Sequence, residues 1–358
     1  MKQLEEFHIN DFQNDLVNWF KENQRDLPWR MSKDPYRVWV SEIMLQQTRV
    51  ETVIPYYNAF MREFPTLEAL AEAEEDRILK AWEGLGYYSR VRNLQTAVRE
   101  VVEHYGGIVP QTREEISSLK GVGPYTAGAV LSIAYGKPEP AVDGNVMRVL
   151  SRVLLVEDDI AKVSTRKLFE NILYELVSKE DPSSFNQGLM ELGALICTPT
   201  SPGCLLCPVR EHCRAYDKGR QAELPVKSKK KKQTSKQMAA FIIRNERGEV
   251  LIEKRPETGL LARLWQFPNM EIDLNNNNQA SLKDKFLSTY HFDLEIGDQV
   301  QKVEHVFSHL IWNITVYEAQ VKGQPGSEEI DQKWIGVKDI EKYAFPVSHQ
   351  KIIKQSLL

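Results

Sequence analysis

Cysteine is scarce in this chain, and the few that occur lie in one short stretch. The 358 residues include 4 cysteines, all between positions 197 and 213. A secreted disulfide scaffold would spread its cysteines along the chain, so this clustering favours a metal or cluster site in a reducing compartment. Long apolar runs are missing too: no segment approaches the roughly 20 apolar residues of a membrane span. The N-terminus MKQLEEFHINDF also lacks the apolar centre of a secretory signal, so we expect a cytoplasmic protein without a membrane partner.

A surplus of positive charge is also missing. The formal net charge is −4, whereas domains that bind nucleic acid through their general charge are usually strongly basic. Any surface for DNA must therefore be a local patch. The remaining composition, 42% hydrophobic and 27% charged, is that of an ordinary globular protein, and the length favours two or three domains.

The chain has two regions with different sequence patterns, separated by a lysine-rich stretch. From residue 8 to about 215, apolar residues recur every three or four positions between Gly and Pro breaks, which predicts helices throughout. The stretch VKSKKKKQTSK at 226–236 predicts a solvated linker. Beyond it, QMAAFIIRNERGEVLIEKRP predicts two strands joined by a turn, and a helix is predicted near 279–290. We therefore predict a mainly α region followed by an α+β domain.

The stretch LKGVGPYTAGAV, residues 119–130, carries a glycine pattern that two kinds of phosphate site share. Gly121-Val122-Gly123 with a small residue three positions on, and Asp143 about twenty residues downstream, resemble a dinucleotide-binding loop. Such a loop follows a β-strand, whereas the preceding TREEISSLK has the pattern of a helix, and Pro124 suits the first turn of the next one. We predict a helix-hairpin-helix in which both glycines can take positive φ, so that backbone N–H groups can approach a DNA phosphate closely. A tight helical corner without a ligand is the alternative.

The cysteine spacing distinguishes between kinds of metal site. Six, two and five residues separate the successive cysteines of CTPTSPGCLLCPVREHC. Structural zinc usually takes two close pairs, and only the middle interval here forms one. The graded spacing favours four thiolates around a cubane iron–sulfur cluster, with zinc as the alternative.

Hairpin, aspartate and cysteine spacing together resemble the helix-hairpin-helix DNA glycosylases that carry an iron–sulfur cluster. Tyr125 stands two residues after the second hairpin glycine, where the lyase branch of that family has a Schiff-base lysine. LPWR at 27–30, WVSEIMLQQTRV at 39–50 and the appended C-terminal domain are similar to the MutY-type adenine glycosylases. The resemblance implies that a [4Fe-4S] cluster is bound by Cys197, Cys204, Cys207 and Cys213.

The same resemblance implies a division of the chain and an activity. Residues 1–224 are expected to form an all-α glycosylase domain. Within it, a six-helix hairpin module spans roughly 28–133, and an iron–sulfur module combines 1–27 with 134–224. A linker at 225–236 and a Nudix-like domain at 237–358 follow. The expected enzyme is a monomer that hydrolyses the N-glycosidic bond of adenine opposite 8-oxoguanine or guanine in double-stranded DNA. It would be bacterial and cytoplasmic, associated with the nucleoid through DNA.

Two carboxylates in opposite protonation states are the chemical core of this expectation. Glu42 lies among apolar neighbours in VWVSEIMLQQ, and an apolar setting raises a carboxyl pKa, which suits the proton donor that the resemblance implies. Asp143 precedes a helix and is expected to cap it, which would keep it ionised to stabilise an oxocarbenium ion. By resemblance, Tyr125 and Asn145 complete the catalytic set.

The resemblance also implies residues that contact the substrate. The flipped adenine is expected among Arg25, Leu27, Trp29, Arg30 and Gln187. The opposite strand is expected to meet Gln47, Thr48, Leu85 and Tyr87, and the oxidised base to meet Phe307, Ser308 and His309. Because the metal-binding box of Nudix hydrolases is missing from the C-terminal domain, we expect no pyrophosphatase activity there.

Two rival functions remain at this point. An endonuclease III-like glycosylase/lyase for pyrimidine lesions would need an amine for an imine intermediate, and Tyr125 counts against it. A non-enzymatic DNA-binding scaffold with a zinc-like cysteine site would leave Glu42 and Asp143 without a purpose.

Overall fold

The structure is a computed structural model that describes residues 2–228, 233–273, 278–322 and 331–358. Part of the predicted lysine-rich linker, residues 229–232, lies outside the described residues. Two compact units can be distinguished: Met1–Glu72 with Asn93–Lys229, and Ala73–Arg92 with Lys230–Leu358. The association of residues 73–92 with the C-terminal part is one that the sequence did not suggest, and the predicted domain boundaries stay predictions.

The first unit is helical. Its helices are α1 Ile9–Asn23, α2 Pro35–Leu45, α3 Val50–Glu63, α4 Leu67–Glu72, most of α6 Ser89–His104, α7 Arg113–Ser118, α8 Pro124–Ile133, α9 Gly144–Val153, α10 Val163–Leu176, α11 Pro182–Leu195 and α12 Arg214–Asp217. Several begin at a side-chain cap: Asp34, Thr112, Asp143 and Asp181 each accept a hydrogen bond from a backbone N–H of the first turn. None of the helices in the described residues is long and apolar enough to cross a membrane.

Helices α1, α9, α10 and α11 share one apolar core. Phe12, Leu150, Phe169, Phe185 and other fully buried side chains form it, and burying each such side chain stabilises the fold by roughly 1.5–3 kcal/mol. The core fixes the start of α9 and the polar face of α11 in one place, which positions the site described below.

The second unit is built on a mixed sheet. Its strands are β1 Thr234–Arg244, β2 Val250–Lys254, β3 Trp265–Gln266, β4 Asn269–Glu271, β5 Asp293–Val306, β6 Leu310–Lys322 and β7 Gln332–Ile335, in the order β3-β2-β1-β6-β5 with β4 against β1 and β7 against β2. β1 and β6 run parallel from Thr234↔Leu310 to Arg244↔Gln320, and the other pairs are antiparallel.

Both faces of the sheet are covered, which explains the continuous apolar run of β1. Met238, Ala240 and Ile242 join a core on one face, which α14 Val347–Ser356 covers. Ala239 and Phe241 join a core on the other face with α13 Gln279–Tyr290, as the two-residue period of a strand requires. The helix α5 Glu75–Ala81 also belongs to this unit. The predicted fold class, a mainly α region followed by an α+β domain, is confirmed.

Candidate active site

A cavity of about 150 Å³ opens in the helical unit, and most of the predicted adenine-site residues line it. The predicted residues found there are Arg25, Leu27, Trp29, Arg30, Glu42, Thr48, Tyr125, Asp143, Asn145 and Gln187. They come from the loop after α1, from α2, from the start of α8, from the start of α9 and from α11. Gln47 does not line this cavity; it lies exposed just after α2 with φ of 62°.

Glu42 is one of the buried carboxylates of the cavity. Its side chain sits on α2 at 5% exposure and accepts a hydrogen bond from the Tyr125 hydroxyl. Burial raises the pKa of Glu42 to about 7, against the lowering effect of the Tyr125 hydrogen bond, and the nearby Asp143 charge raises it further. The apolar setting predicted from VWVSEIMLQQ therefore produces a carboxyl group that holds a proton near neutral pH.

Asp143 caps α9 as predicted, and its pKa is set by two opposing effects. The carboxylate accepts from the Val146 N–H at 2.7 Å and from the Asn145 side-chain amide at 3.0 Å. Desolvation nevertheless raises the Asp143 pKa above its ordinary value, while the Val146 bond, Arg148 and Asn145 lower it. The capping bonds therefore favour the ionised form, as expected of a cap, while burial in the cavity works against them.

Tyr125 and Asn145 connect the two carboxylates to their surroundings. The Tyr125 hydroxyl donates to Glu42 and lies 3.8 Å from the Met190 sulfur, and burial raises its pKa well above the ordinary value, so it remains a donor. The Asn145 carbonyl accepts from Arg148 at 2.9 Å, which orients its amide toward Asp143.

An ion-pair cluster that the sequence analysis missed closes the other side of the cavity. The buried Glu191 on α11 accepts from Arg25 at 2.9 Å and from Arg30 at 2.9 Å. Although desolvation opposes ionisation, the hydrogen bonds from Arg25 and Arg30 hold the Glu191 pKa at about 2. The sequence did contain one sign that Glu191 belongs to the cavity: it stands four residues after Gln187, on the same face of the helix.

The remaining walls are apolar or amide. Trp29 is buried, with its ring edge-on to Tyr57 at 5.5 Å, so it serves as core and as cavity wall together. Leu27 is equally buried. The Gln187 carbonyl accepts from Arg30 at 3.2 Å while its amide donates to Ser183 at 3.1 Å, which fixes its orientation.

The glycine hairpin forms between α7 and α8, as predicted. Gly121 has φ of 75°, and a Cβ there would lie 2.7 Å from the Cβ of Asn93, so glycine is required. Gly123 has φ of −91° and open space around it, so of the two glycines that can take positive φ only Gly121 does. Val122 between them is buried, and α8 begins at Pro124 directly after the hairpin.

The four cysteines gather around one small cavity after α11. Cys197, Cys204, Cys207 and Cys213 all line it, on loops that contain short 3₁₀ turns. Within the part of the chain that the structure describes, no three His, Cys, Asp or Glu side chains are grouped to hold a metal ion. Arg152 donates to the Cys197 sulfur at 3.2 Å, which supplies positive charge beside the thiols. Four thiols on one cavity, with a guanidinium contact, are the kind of donor set that iron–sulfur clusters take.

Leu85 and Tyr87, predicted to meet the opposite strand, lie in the second unit with the three residues predicted to meet the oxidised base, whereas Gln47 and Thr48 belong to the first unit. A cavity of about 410 Å³ in the second unit is lined by Leu85, Tyr87, Phe307, Ser308 and His309 among others. The last three form the turn between β5 and β6, where the Phe307 N–H bonds to the Leu310 carbonyl. The hydroxyls of Tyr87 and Ser308 lie 2.5 Å apart. Leu85 and His309, which are 224 positions apart in the sequence, thus line one cavity.

Comparisons with known proteins identify the family of both parts of the chain. Residues 40–175 match the HhH-GPD superfamily of base excision DNA repair proteins, and residues 239–355 match the NUDIX domain. The adenine DNA glycosylase of Rattus norvegicus is 33% identical, with 97% of this chain and 78% of that protein covered. The structure of a thermostable thymine-DNA glycosylase is similar at 31% identity and a TM-score of 0.53, covering 59% of this chain and 97% of that chain.

A trapped endonuclease III–DNA covalent intermediate is similar at 25% identity and a TM-score of 0.50, covering 58% of this chain and 94% of that chain. These two solved structures share the helical part of the fold, and the match to the rat protein extends over nearly the whole chain. The chain therefore belongs to the adenine DNA glycosylase family, and it is a base-excision-repair enzyme with a helical HhH-GPD region and a C-terminal NUDIX domain.

Proposed function

We propose that this glycosylase removes adenine that is mispaired with 8-oxoguanine or guanine in double-stranded DNA. The observation that carries the proposal is the pairing of Glu42 and Asp143 on one cavity, with the Tyr125 hydroxyl bonded to Glu42. The adenine must leave the helical stack to reach them, as in other enzymes that act on a base. Trp29 supplies a flat apolar wall for the base, and Gln187 supplies amide atoms for its edge.

Glu42 is the proposed proton donor. Adenine is a poor leaving group, and protonation at N7 allows it to depart as a neutral base. A carboxyl whose pKa is about 7 keeps a proton at neutral pH and can still release it to the base. Tyr125 holds the carboxyl in place through its hydrogen bond.

Asp143 is the proposed counter-charge for the sugar. When the glycosidic bond breaks, the sugar takes on oxocarbenium character, which a carboxylate stabilises. Although burial raises the Asp143 pKa, the hydrogen bonds from Val146 and Asn145 are made to its oxygens as acceptors and favour the ionised form. Two negative charges on one cavity repel each other, so an ionised Asp143 favours the protonated form of Glu42.

The reaction is proposed to stop after base release. A lyase step needs an amine to form an imine with the sugar, and no lysine is among the described residues that line the cavity. Tyr125 occupies the position that a Schiff-base lysine would need, and a phenol cannot form an imine.

The four cysteines are proposed to bind a [4Fe-4S] cluster, each giving one thiolate. Such a cluster would crosslink the loops after α11, and its potential is set by the surrounding hydrogen bonds and charge. Arg152 would partly offset the negative charge of the bound thiolates through its contact to Cys197.

The partner is proposed to be duplex DNA, since the similar endonuclease III structure is a complex with DNA. With a net charge of −4, contact is expected through local elements such as the Gly121-Val122-Gly123 hairpin. Ser308 at the β5–β6 turn is proposed to bond the altered edge of 8-oxoguanine. The monomeric state, bacterial origin and cytoplasmic, nucleoid-associated location stay predictions from the sequence.

The test is a panel of duplexes with adenine opposite 8-oxoguanine, guanine or thymine, and thymine opposite guanine, followed by alkali to cleave abasic sites. We expect strand breaks at adenine, fastest opposite 8-oxoguanine and only after alkali. Cleavage at thymine opposite guanine would favour a thymine glycosylase. A covalent DNA adduct trapped by borohydride would instead indicate a lyase and contradict the monofunctional proposal.

A further inference from the structure

The turn that carries Tyr87 is held in an unusual conformation. Tyr87 is 46% exposed and has φ of 47°, a conformation that a bulky residue keeps only when its surroundings impose it. The exposed phenol nevertheless meets the Ser308 hydroxyl at 2.5 Å. Some contact must therefore fix this turn, residues 84–88, relative to the β5–β6 turn.

Bonds within the turn fix its shape. Trp82 donates from its indole N–H to the Gly86 carbonyl at 3.2 Å, and Arg90 donates to the same carbonyl at 3.2 Å. The Gly84 N–H bonds to the Tyr88 hydroxyl at 3.1 Å. All of these partners lie between residues 82 and 90, so they do not locate the turn on the sheet.

The carboxylate of Glu83 connects the turn to the sheet domain. One oxygen accepts from the Phe345 N–H at 2.7 Å, and the other accepts from the Lys80 ammonium at 2.6 Å. Lys80 also donates to the Tyr343 carbonyl at 3.1 Å. Glu83 is only 18% exposed, so these charge-assisted bonds are partly shielded from water.

The receiving segment, residues 343–345, is itself part of the core of the sheet domain. The Ala344 carbonyl accepts from the Trp265 N–H of β3 at 2.9 Å, and the Phe345 ring packs on Phe267 at 5.7 Å between centroids. Glu83 therefore ties the residue immediately before the turn to a rigid part of the sheet domain.

We propose that Glu83 is a positioning residue for recognition of the oxidised purine, because it locates the Tyr87 hydroxyl beside Ser308 without reaching the DNA base itself. The inference rests on the proposed preference for 8-oxoguanine. Without the carboxylate, the turn keeps its internal bonds but loses its attachment to residue 345, and the two hydroxyls no longer share a fixed geometry. A misplaced contact group costs recognition even where the fold survives.

The test compares full-length variants in single-turnover adenine release from duplexes with adenine opposite 8-oxoguanine or opposite guanine. For Glu83→Ala we expect a loss of about fivefold with 8-oxoguanine and a change within about twofold with guanine. Glu83→Gln keeps an oxygen for the Phe345 N–H and is expected to retain more of the preference. The exposed Glu341, in the same unit, gives the control variant Glu341→Ala, expected to behave as the wild type.

A double-mutant cycle separates positioning from general damage. If Glu83 acts through the hydroxyl pair, Glu83→Ala adds little to the loss already caused by Ser308→Ala. Should Glu83→Ala not fold, Lys80→Met is measured instead. It removes the ammonium that bonds to Glu83 and to the Tyr343 carbonyl, and is expected to lower the preference for 8-oxoguanine by less than Glu83→Ala.

Three results would overturn the inference. Equal losses on both duplexes would indicate a merely structural role for Glu83. An unchanged preference for 8-oxoguanine in Glu83→Ala or Lys80→Met would show that Glu83 has no role in recognition. A larger loss in Glu83→Gln than in Glu83→Ala would exclude the Phe345 bond as the cause of the effect. Absence of any preference in the wild type would instead contradict the proposed function itself.

Discussion

Hydrogen-bonded hydroxyls and carboxylates occur in two very different settings in this protein. In the Glu42 cavity they are buried, and desolvation changes the pKa of Glu42 and Asp143. In the Tyr87–Ser308 pair, two hydroxyls are exposed on two turns. Burial controls where protons are held, which is what bond cleavage needs, whereas exposed hydroxyls remain available to a base edge. We therefore expect changes in the cavity to alter the rate on every substrate, and changes at the pair to alter only the choice of substrate.

The largest effect is expected from the cavity carboxylates. Glu42→Gln and Asp143→Asn keep the size of each side chain but remove the proton donor or the charge, so adenine release should fall by about a thousandfold on both duplexes. Affinity for duplex DNA should change little, as a gel-shift measurement with a non-cleavable duplex would show. The exposed Glu22 provides a control variant, Glu22→Gln, with full activity. A fully active Glu42→Gln or Asp143→Asn enzyme would contradict the proposed mechanism.

The pH dependence of the rate provides the next test. Because the Glu42 pKa is about 7, the protonated donor is lost above that pH, and the single-turnover rate should fall about tenfold per pH unit. Glu42→Gln should lack this decline. The ratio of rates on the two duplexes should stay constant across the range, since the Glu42 proton serves both. A ratio that followed the Glu42 titration would break the distinction between the two settings.

The same shift has a consequence for stability. The Glu42 pKa is raised from 4.5 to about 7 in the folded protein, so the native state binds a proton that the unfolded chain has released between these values. The contribution of this linkage is fully present below about pH 4.5 and is lost as the pH rises toward 7. In Glu42→Gln this loss is absent, so the difference in unfolding free energy between variant and wild type should depend on pH over that window.

A smaller effect on the rate is expected from the cluster of Glu191 with Arg25 and Arg30. Glu191→Gln leaves two guanidinium groups without their buried counter-charge, which costs about 3 kcal/mol of unfolding free energy. Adenine release should fall about tenfold on both duplexes, because Arg30 and Gln187 lose a fixed geometry. Urea unfolding measures the first quantity, with the exposed Glu180→Gln as control. A change confined to one duplex would contradict the assignment of this cluster to the cavity.

The sequence was informative wherever function depends on local pattern. The caps Thr112 and Asp143, the first-turn Pro124 and the helix at 279–290 could all be predicted, because each depends on neighbours within a few residues. The apolar setting of Glu42 was likewise visible in its own helix.

What the sequence could not supply depends on long-range contact. The raised pKa of Asp143 is caused by burial in the cavity rather than by its capping bonds. Glu191 on α11 can be recognised as part of the site only when Arg25 and Arg30 are seen to bond to it. The parallel pairing of β1 with β6 joins strands more than sixty residues apart, and the association of residues 73–92 with the sheet domain requires the folded chain. Local periodicity contains no information on such partners.

The smallest effect is expected from the exposed pair. Ser308→Ala removes one neutral hydrogen bond, so release of adenine opposite 8-oxoguanine should fall about fivefold, while release opposite guanine should not change. Ser288→Ala, an exposed serine of α13, is the matched control. Both rates would be measured in single turnover at one pH. If Ser308→Ala slowed both duplexes equally, the pair would contribute to the chemistry in the same way as the cavity, and the distinction between a buried catalytic setting and an exposed recognition setting would have to be abandoned.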